Sequence, residues 1–282
     1  MKIDQKLIEE YDQNGAVCLR NVFDKAWIDL ARVGIEKNLA SPSSFGEKLK
    51  GDKSDGHYFD DYCNWNRIEE FKKFAFESPA AAIAGTLTKS KEVSFYHEHV
   101  LVKEPGTDKE TPWHHDQSYY PIDGDKVCSI WMPVDPVPRE TCVQFVAGSH
   151  RWGWYQPIKF ETTLPYRVVD GDGDRRTYQP VPDVEANRDK YNILTWDVQP
   201  GDCIVFHMKC LHGAPGNASR TCWRRVLSTR WLGDDAVITR RPWRTSPPTT
   251  GGLKTGDRAV SSNFPSSGDT TIKTTHVFQK LE

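Results

Sequence analysis

Apolar positions recur at two different periods along this chain, and the change between them falls near residue 91. Before it the spacing is helical. Asp4 can cap a helix that runs through Tyr11 and ends near Gly15. Asp24 can cap a second, whose Trp27, Leu30, Ala31 and Ile35 approximate one stripe. Between them the run AVCLR at 16–20 alternates as a strand does. Two more helical segments are predicted over roughly 66–77 and 79–88. Residues 40–57 are polar and rich in Gly, Ser and Lys, and carry neither period. They read as disordered or as a mobile lid that orders over a ligand.

From Glu92 onward the runs are short and β-rich: VSFYHEHVLVK, KVCSIWMPV, CVQFVAG, YNILTW, DCIVFH and WRRVLSTRW. Pro105-Gly106, Asp123-Gly124, Pro200-Gly201 and Pro215-Gly216 punctuate them as turns. Strands without intervening helices predict an antiparallel sandwich or jelly roll, not a Rossmann fold. Residues 155–190 read as a long polar insertion, and the Pro/Gly/Thr-rich tail from Arg241 as a surface wrapping without a core. The expected organisation is one domain over 1–282, mainly β with N-terminal helices: a helical part at 1–90, a jelly-roll core at 91–232, and a tail at 233–282.

Composition narrows the function classes. The 37 Lys and Arg against 39 Asp and Glu give neither nucleic acid nor an anionic membrane surface a reason to bind. The seven cysteines are odd in number and show no Cys-x-x-Cys spacing, which predicts a reducing compartment. The opening MKIDQKLIEEYDQ is too charged for a signal-peptide core, and no apolar run reaches membrane-spanning length. A cytoplasmic protein acting on a small molecule is expected.

The segment TPWHHDQSYYP at 111–121 carries the chemistry. Residues two apart on a strand share a face, so His114 and Asp116 point one way and His115 the other. A His-x-Asp pair supplies two-thirds of the facial triad of non-haem Fe(II) oxygenases. The third ligand must come from a distant strand. GDCIVFHMKCLHGAPGN at 201–217 offers His207, inside an apolar run, and His212, at its end before a Pro-Gly turn; His212 is preferred. In WRRVLSTRW, Arg224 and Arg225 point to opposite faces, so one of them can offer a bidentate fork to a carboxylate inside the fold. Arg220 and Arg230 are expected at the surface. His97 and His99 lack a carboxylate at metal spacing and are expected beside the pocket. Asp170 to Asp174 lack the downstream Glu of a calcium loop and read as a solvated turn.

Six motifs in register then resemble the phytanoyl-CoA dioxygenase family of Fe(II)/2-oxoglutarate oxygenases: VKEPGT before PWHHD, then CSIWMPVDPV, FVAGSHRWG, PGDCIVFH, LHGAPGN and RRVLSTRW. The resemblance runs from about Tyr11 to about Leu232. It implies a double-stranded β-helix (jelly roll, cupin-like), a metal held by His114, Asp116 and His212, and Arg224 gripping 2-oxoglutarate. It further implies Lys103 near the same co-substrate and Trp131 lining its pocket. Fe(II), 2-oxoglutarate and dioxygen would be needed, with ascorbate as a stimulant. The reaction implied is hydroxylation of a small organic substrate coupled to decarboxylation of 2-oxoglutarate to succinate and CO2. Asn64, Tyr119 and Tyr120 are candidates for the substrate wall. Glu140-Thr141-Cys142-Val143 departs from the family's Glu-Asn-Gly-Cys-Leu, and Ala147 stands where Pro is usual; both alter a turn near the mouth and leave substrate class open. A catalytically silent jelly-roll binding protein and a cupin-like metal-dependent isomerase are the competing readings.

Overall fold

A computed structural model of the chain describes residues 3–54, 56–169, 174, 176–261 and the backbone of 266–267. Helices α1 (Gln5–Asn14), α2 (Lys25–Ala40), α3 (Glu69–Glu77) and α4 (Ala80–Thr88) precede the long strands. Asp4 caps α1 and Asp24 caps α2, its carboxylate accepting from the Ala26 and Trp27 amides. Gly15 ends α1 at φ 77, and a Cβ there would stand 2.3 Å from His150 Nδ1, so both conformation and space require glycine.

The strands are β1 (Ala16–Leu19), β2 (Glu47–Lys50), β3 (His57–Tyr62), β4 (Val93–Lys103), β5 (Thr111–His114), β6 (Ile122–Asp123), β7 (Val127–Pro133), β8 (Gln144–Val146), β9 (Trp154–Tyr155), β10 (Tyr178–Gln179), β11 (Ile193–Leu194), β12 (Cys203–His207), β13 (His212–Ala214), β14 (Arg224–Leu232), β15 (Val237–Ile238) and β16 (Ser266–Ser267). The large sheet runs β1-β12-β7-β14-β4-β3-β2, with β16 also against β4. The small one runs β11-β8-β13-β5, and both are antiparallel throughout. This is the expected jelly roll.

The large sheet is covered on both faces, so its strands read as nearly continuous apolar runs. Val17, Phe95, Val102, Ile130 and Leu227 pack outward onto Ile28, Ile35, Phe74 and Ile83 of the helices. Trp131, Ile204, Phe206 and Val226 face inward, toward Val143 and Phe145 of the small-sheet side. A bulge sets the sides on β4: Arg230 pairs with His97 but Trp231 with Phe95. The extra residue turns Phe95 to the helices, its ring 5.2 Å from that of Trp231, while His97 lines the cavity.

Several expectations are corrected. The 1–90 part is not only helical, because β1, β2 and β3 join the large sheet. The 40–57 segment carries β2, paired residue for residue with β3 from Glu47↔Asp60 to Lys50↔His57. Its polarity suits an edge strand, which faces solvent on one side. The tail is anchored: Trp243 is buried and donates from Nε1 to the Ser118 carbonyl. Asp174 is no solvated turn residue, since it is buried against Arg176 and Arg241, whereas 170–173 lie outside the described residues. All seven cysteines are free. Among the described residues no helix is long and apolar enough to cross a membrane.

Asp24→Ala removes the acceptor for the first amides of α2. It should lower unfolding stability by about 1 kcal/mol, read as a lower urea midpoint at unchanged m-value. An unchanged midpoint would mean that packing alone holds the start of α2.

Candidate metal centre and cavity

The cluster is built where β5, the edge strand of the small sheet, pairs with β13. His114, last residue of β5, pairs directly with His212, first residue of β13, and their rings lie 4.2 Å apart. β5 ends at His114, but His115 stays extended (φ −124, ψ 145), so alternation carries on to Asp116, which opens a 3-10 turn. His114 and Asp116 therefore share a face, and His115 packs the other way against Trp154 and Tyr155.

Each clustered imidazole is oriented through its other nitrogen. His114 Nδ1 donates to the Pro112 carbonyl at 2.7 Å and His212 Nδ1 to the Cys210 carbonyl at 2.9 Å. A carbonyl only accepts, so both Nε2 atoms carry lone pairs. They converge on Asp116 Oδ1 at 3.6 and 3.7 Å. Asp116 Oδ2 is turned away, accepting from Ser129 Oγ at 2.9 Å and Arg230 Nη2 at 3.4 Å. Burial alone would raise the Asp116 pKa, but Arg230 and the two imidazoles outweigh it and hold the carboxylate well below its ordinary range. Burial and the neighbouring His114 push His212 down to about 3, so its ring is neutral at physiological pH. One ligand atom from each residue lies within 4.8 Å of the others, and all three side chains are buried. Two imidazole nitrogens and one carboxylate oxygen, converging and buried, suit a first-row divalent ion.

The cluster opens into a cavity of about 360 Å³ between the sheets. Trp131, Tyr119, Tyr120 and Arg224 line it. Tyr119 is tied through its hydroxyl to Ile158, and Tyr120 accepts from Arg230 Nε. Arg224 is buried and meets no carboxylate; its Nη1 donates to the carbonyls of Thr141 and, at 3.4 Å, Pro215. The departing turn at 140–143 thus touches this arginine. Arg225 points outward and forks onto Asp135 at 2.9 and 2.7 Å. Lys103 pairs with Arg224 across the ladder, and burial and that guanidinium push its ammonium well below the ordinary value. It is not on the cavity wall: its Nζ donates to the Ala214 and Pro215 carbonyls at 3.3 and 2.7 Å.

Two expectations fail. Asn64 is not on the wall; it lies buried behind β4, its side chain accepting from Arg67 Nε. Arg230 is not at the surface but 4% exposed beside Asp116. Alternation along β14 would have found it, since Arg224, Val226, Ser228 and Arg230 share one face. His207 has the strand role expected, its Nε2 bound to the Asp125 carbonyl. Glu47 of β2, Asp60 of β3, Phe160 and Glu161 of the insertion and Ser246 of the tail also line the cavity.

An antiparallel two-sheet jelly roll with a buried two-His, one-carboxylate cluster is the class of protein that fold and geometry define. The chain belongs to the phytanoyl-CoA dioxygenase (PhyH) family, matching it over residues 11–226. Phytanoyl-CoA dioxygenase 1 of Oryza sativa subsp. japonica is 22% identical over 150 residues, covering 53% of this chain and 48% of the relative. The Arabidopsis thaliana phytanoyl-CoA dioxygenase is 23% identical over 150 residues, with the same coverage of 53% and 48%. The chain thus spans about half the length of the curated relatives it matches. Among solved structures, the non-heme alpha ketoglutarate dependent carbocyclase SnoK is similar at TM-score 0.70 and 20% identity, covering 94% of this chain and 96% of that one. The epimerase SnoN has TM-score 0.70 at 20% identity, covering 93% and 98%. EctD from S. alaskensis, solved with 2-oxoglutarate and 5-hydroxyectoine, has TM-score 0.64 at 17% identity, covering 88% and 82%. At these identities the likeness is one of fold.

Glu98 lies on β4 between His97 and His99 but accepts from the Asn64 and Trp65 amides behind the sheet, at 2.5 and 3.1 Å. Burial raises its pKa from 4.5 to about 8, against the pull of those amides. A carboxyl raised in the folded state stabilises fully below its unfolded value and loses that contribution as pH rises through the folded one. Stability should therefore fall between about pH 4.5 and pH 8 through this group. Glu98→Gln, which keeps an acceptor and cannot ionise, should flatten that slope in pH-dependent thermal melts; an unaltered slope would assign it to other groups.

Proposed function

We propose that the chain is an Fe(II)- and 2-oxoglutarate-dependent dioxygenase that hydroxylates a small organic substrate, with His114, Asp116 and His212 as the metal ligands. The observation that carries this is the convergence of two carbonyl-oriented Nε2 lone pairs on one oxygen of a buried carboxylate. Bound there, Fe(II) with dioxygen and 2-oxoglutarate supplies the oxidising chemistry, 2-oxoglutarate going to succinate and CO2. The protein's own residues do the rest. Ser129 and Arg230 hold Asp116 Oδ2 and leave Oδ1 free to ligate. Three protein ligands leave positions for a chelating co-substrate and for dioxygen. Arg224, a buried guanidinium without a carboxylate partner, is suited to the far carboxylate of 2-oxoglutarate. Lys103 pairs with it across the ladder and holds the Ala214 and Pro215 carbonyls, and Trp131 walls the same cavity. Tyr119, Tyr120 and Phe160 exclude water around the cluster.

A silent binding protein would have no reason to keep three oriented donors beside a free buried guanidinium. Product mass separates the remaining reactions. Hydroxylation adds one oxygen atom, whereas ring closure removes two hydrogens and epimerisation leaves mass unchanged. Substrate-stimulated succinate formation over a metabolite panel, followed by mass spectrometry of the product, tests the reading.

Paired variants test the assignment of residues. His114→Ala should abolish tight Fe(II) binding and turnover, while His115→Ala should leave iron content near wild type. Arg224→Ala should keep iron yet need much more 2-oxoglutarate, since losing a charge-assisted contact costs roughly 2–5 kcal/mol. Arg225→Ala should change that requirement little. Metal loss in His115→Ala with retention in His114→Ala would overturn the site.

A further inference from the structure

The inner wall of β4 and β14 beyond the His114–Asp116–His212 cluster carries buried polar atoms that await a partner. His97 and Ser228 are fully buried cavity residues, and among the described residues neither His97 Nε2 nor Ser228 Oγ has a partner. His97 Nδ1 is committed to the Glu98 carbonyl at 3.1 Å, so it donates there and Nε2 holds a lone pair. Burial and the nearby Arg230 keep that ring neutral. His99 stands directly opposite Ser228, with Nε2 2.5 Å from Asp60 Oδ1. His99 Nδ1 is also buried and without a partner among the described residues. Buried polar atoms are rarely left unpaired: His97 Nε2 calls for a ligand that donates, and the Ser228 hydroxyl, which can accept, can share that donor group.

Charge narrows the ligand further. Glu47, Asp60 and Glu161 line the same cavity beside Lys159. Glu47 and Asp60 stand directly opposite each other on β2 and β3, an arrangement of like charges that costs stability unless something positive offsets it. The Glu47 carboxyl is raised by burial and then by the charges of Asp60 and Glu161, so the three carboxylates feel one another. Aromatic rings complete the surroundings. Tyr62 lies 6.0 Å from the His97 ring and 5.3 Å from that of His99, and stacks on Phe45 at 4.8 Å. A protonated amine satisfies all three features: it donates, it is positive, and it is attracted to ring faces.

We infer that the substrate subsite built from His97, His99, Ser228 and the Glu47–Asp60–Glu161 carboxylates takes a small molecule bearing a protonated amine. This rests on the cavity being the substrate site of the proposed oxygenase, and deepens that reading by naming the substrate class. A long acyl chain is the wrong complement for this wall, because it would leave His97 Nε2 and Ser228 Oγ buried without partners.

Three probes of one ring size separate the contributions: cyclohexylamine (charge and donors), cyclohexanol (a neutral donor) and N,N,N-trimethylcyclohexylammonium (charge without donors). Each is titrated into the full chain by calorimetry. Cyclohexylamine should bind at least roughly tenfold more tightly than either of the others, and more weakly as salt is raised. Glu47→Gln combined with Glu161→Gln, both at exposed positions, should lose most of that preference. Equal affinity for the alcohol, equal affinity for the trimethylammonium, no measurable amine binding at millimolar concentration, or an undiminished preference in the double variant would each overturn the inference. Fe(II) titration of the same preparation is a separate readout: its failure with amine preference intact would remove the oxygenase reading alone.

Discussion

The pairing of His114 with His212 across β5 and β13 is the contact on which the site depends. Because side chains alternate with a period of two, a slip of one residue in either strand would send its imidazole to the opposite face. That register is set at some distance from the chemistry. β13 is held on its other side by β8, through His212↔Phe145 and Gly213↔Gln144, and the Phe145 ring stacks on His212 at 25°. Gly213 matters here because a Cβ would come within 3.1 Å of the Trp113 ring on the neighbouring strand. The small sheet is thin, yet it holds both imidazoles because β13 is paired on both sides, by β5 and β8, and its inner face packs on Phe206 of the large one.

The large sheet solves a different problem, placing polar groups on one face and apolar groups on the other of strands that are buried on both. On β14, Leu227 and Trp231 meet the helices while Arg224, Ser228 and Arg230 enter the cavity. The helices are therefore part of the site's construction. Without their cover the outward Val, Ile, Leu and Trp positions would face water, and nothing would decide which side of each strand carried the cations.

How much of this was legible follows from the range of each cause. Caps, turn glycines and strand runs are local, and the helix starts at Asp4 and Asp24 and the jelly-roll class were readable from them. Alternation put His114 and His115, and likewise Arg224 and Arg225, on opposite sides, where they lie, while the choice of Arg224 as the inward arginine came from the family resemblance. Arg230 was misread because a charged residue near a strand end is ordinarily solvated; its partner, Asp116, is far away in the chain. Asn64 was misplaced because the turn before α3 lies behind β4, a matter of sheet order that the local sequence does not encode. The 40–57 segment looked structureless because β2 is an edge strand, where polarity is the rule and gives no period to read.

Cross-strand pairing orders the cavity by charge. Reading along β14 against β4, the inward pairs are Arg224 with Lys103, Val226 with Leu101, Ser228 with His99, and Arg230 with His97. The first carries the Arg224 guanidinium beside a buried lysine, the second is apolar, the third is polar, and the fourth couples Arg230 to Asp116 of the cluster. Arg224 and Arg230 are six positions apart, roughly 20 Å of strand, so two long side chains on one face can serve different partners. Arg230 is already paired with Asp116 and donates to Tyr120, which leaves Arg224 as the positive end. The uncompensated negative groups, Glu47 and Glu161, come from β2 and the insertion on the other flank of the cavity. An anionic co-substrate and a cationic substrate would then sort themselves by charge, with the apolar Val226–Leu101 pair between the cationic end and the acceptor wall. Placing the two ligands in fixed order around one metal cluster requires no moving part, only the register of two strands.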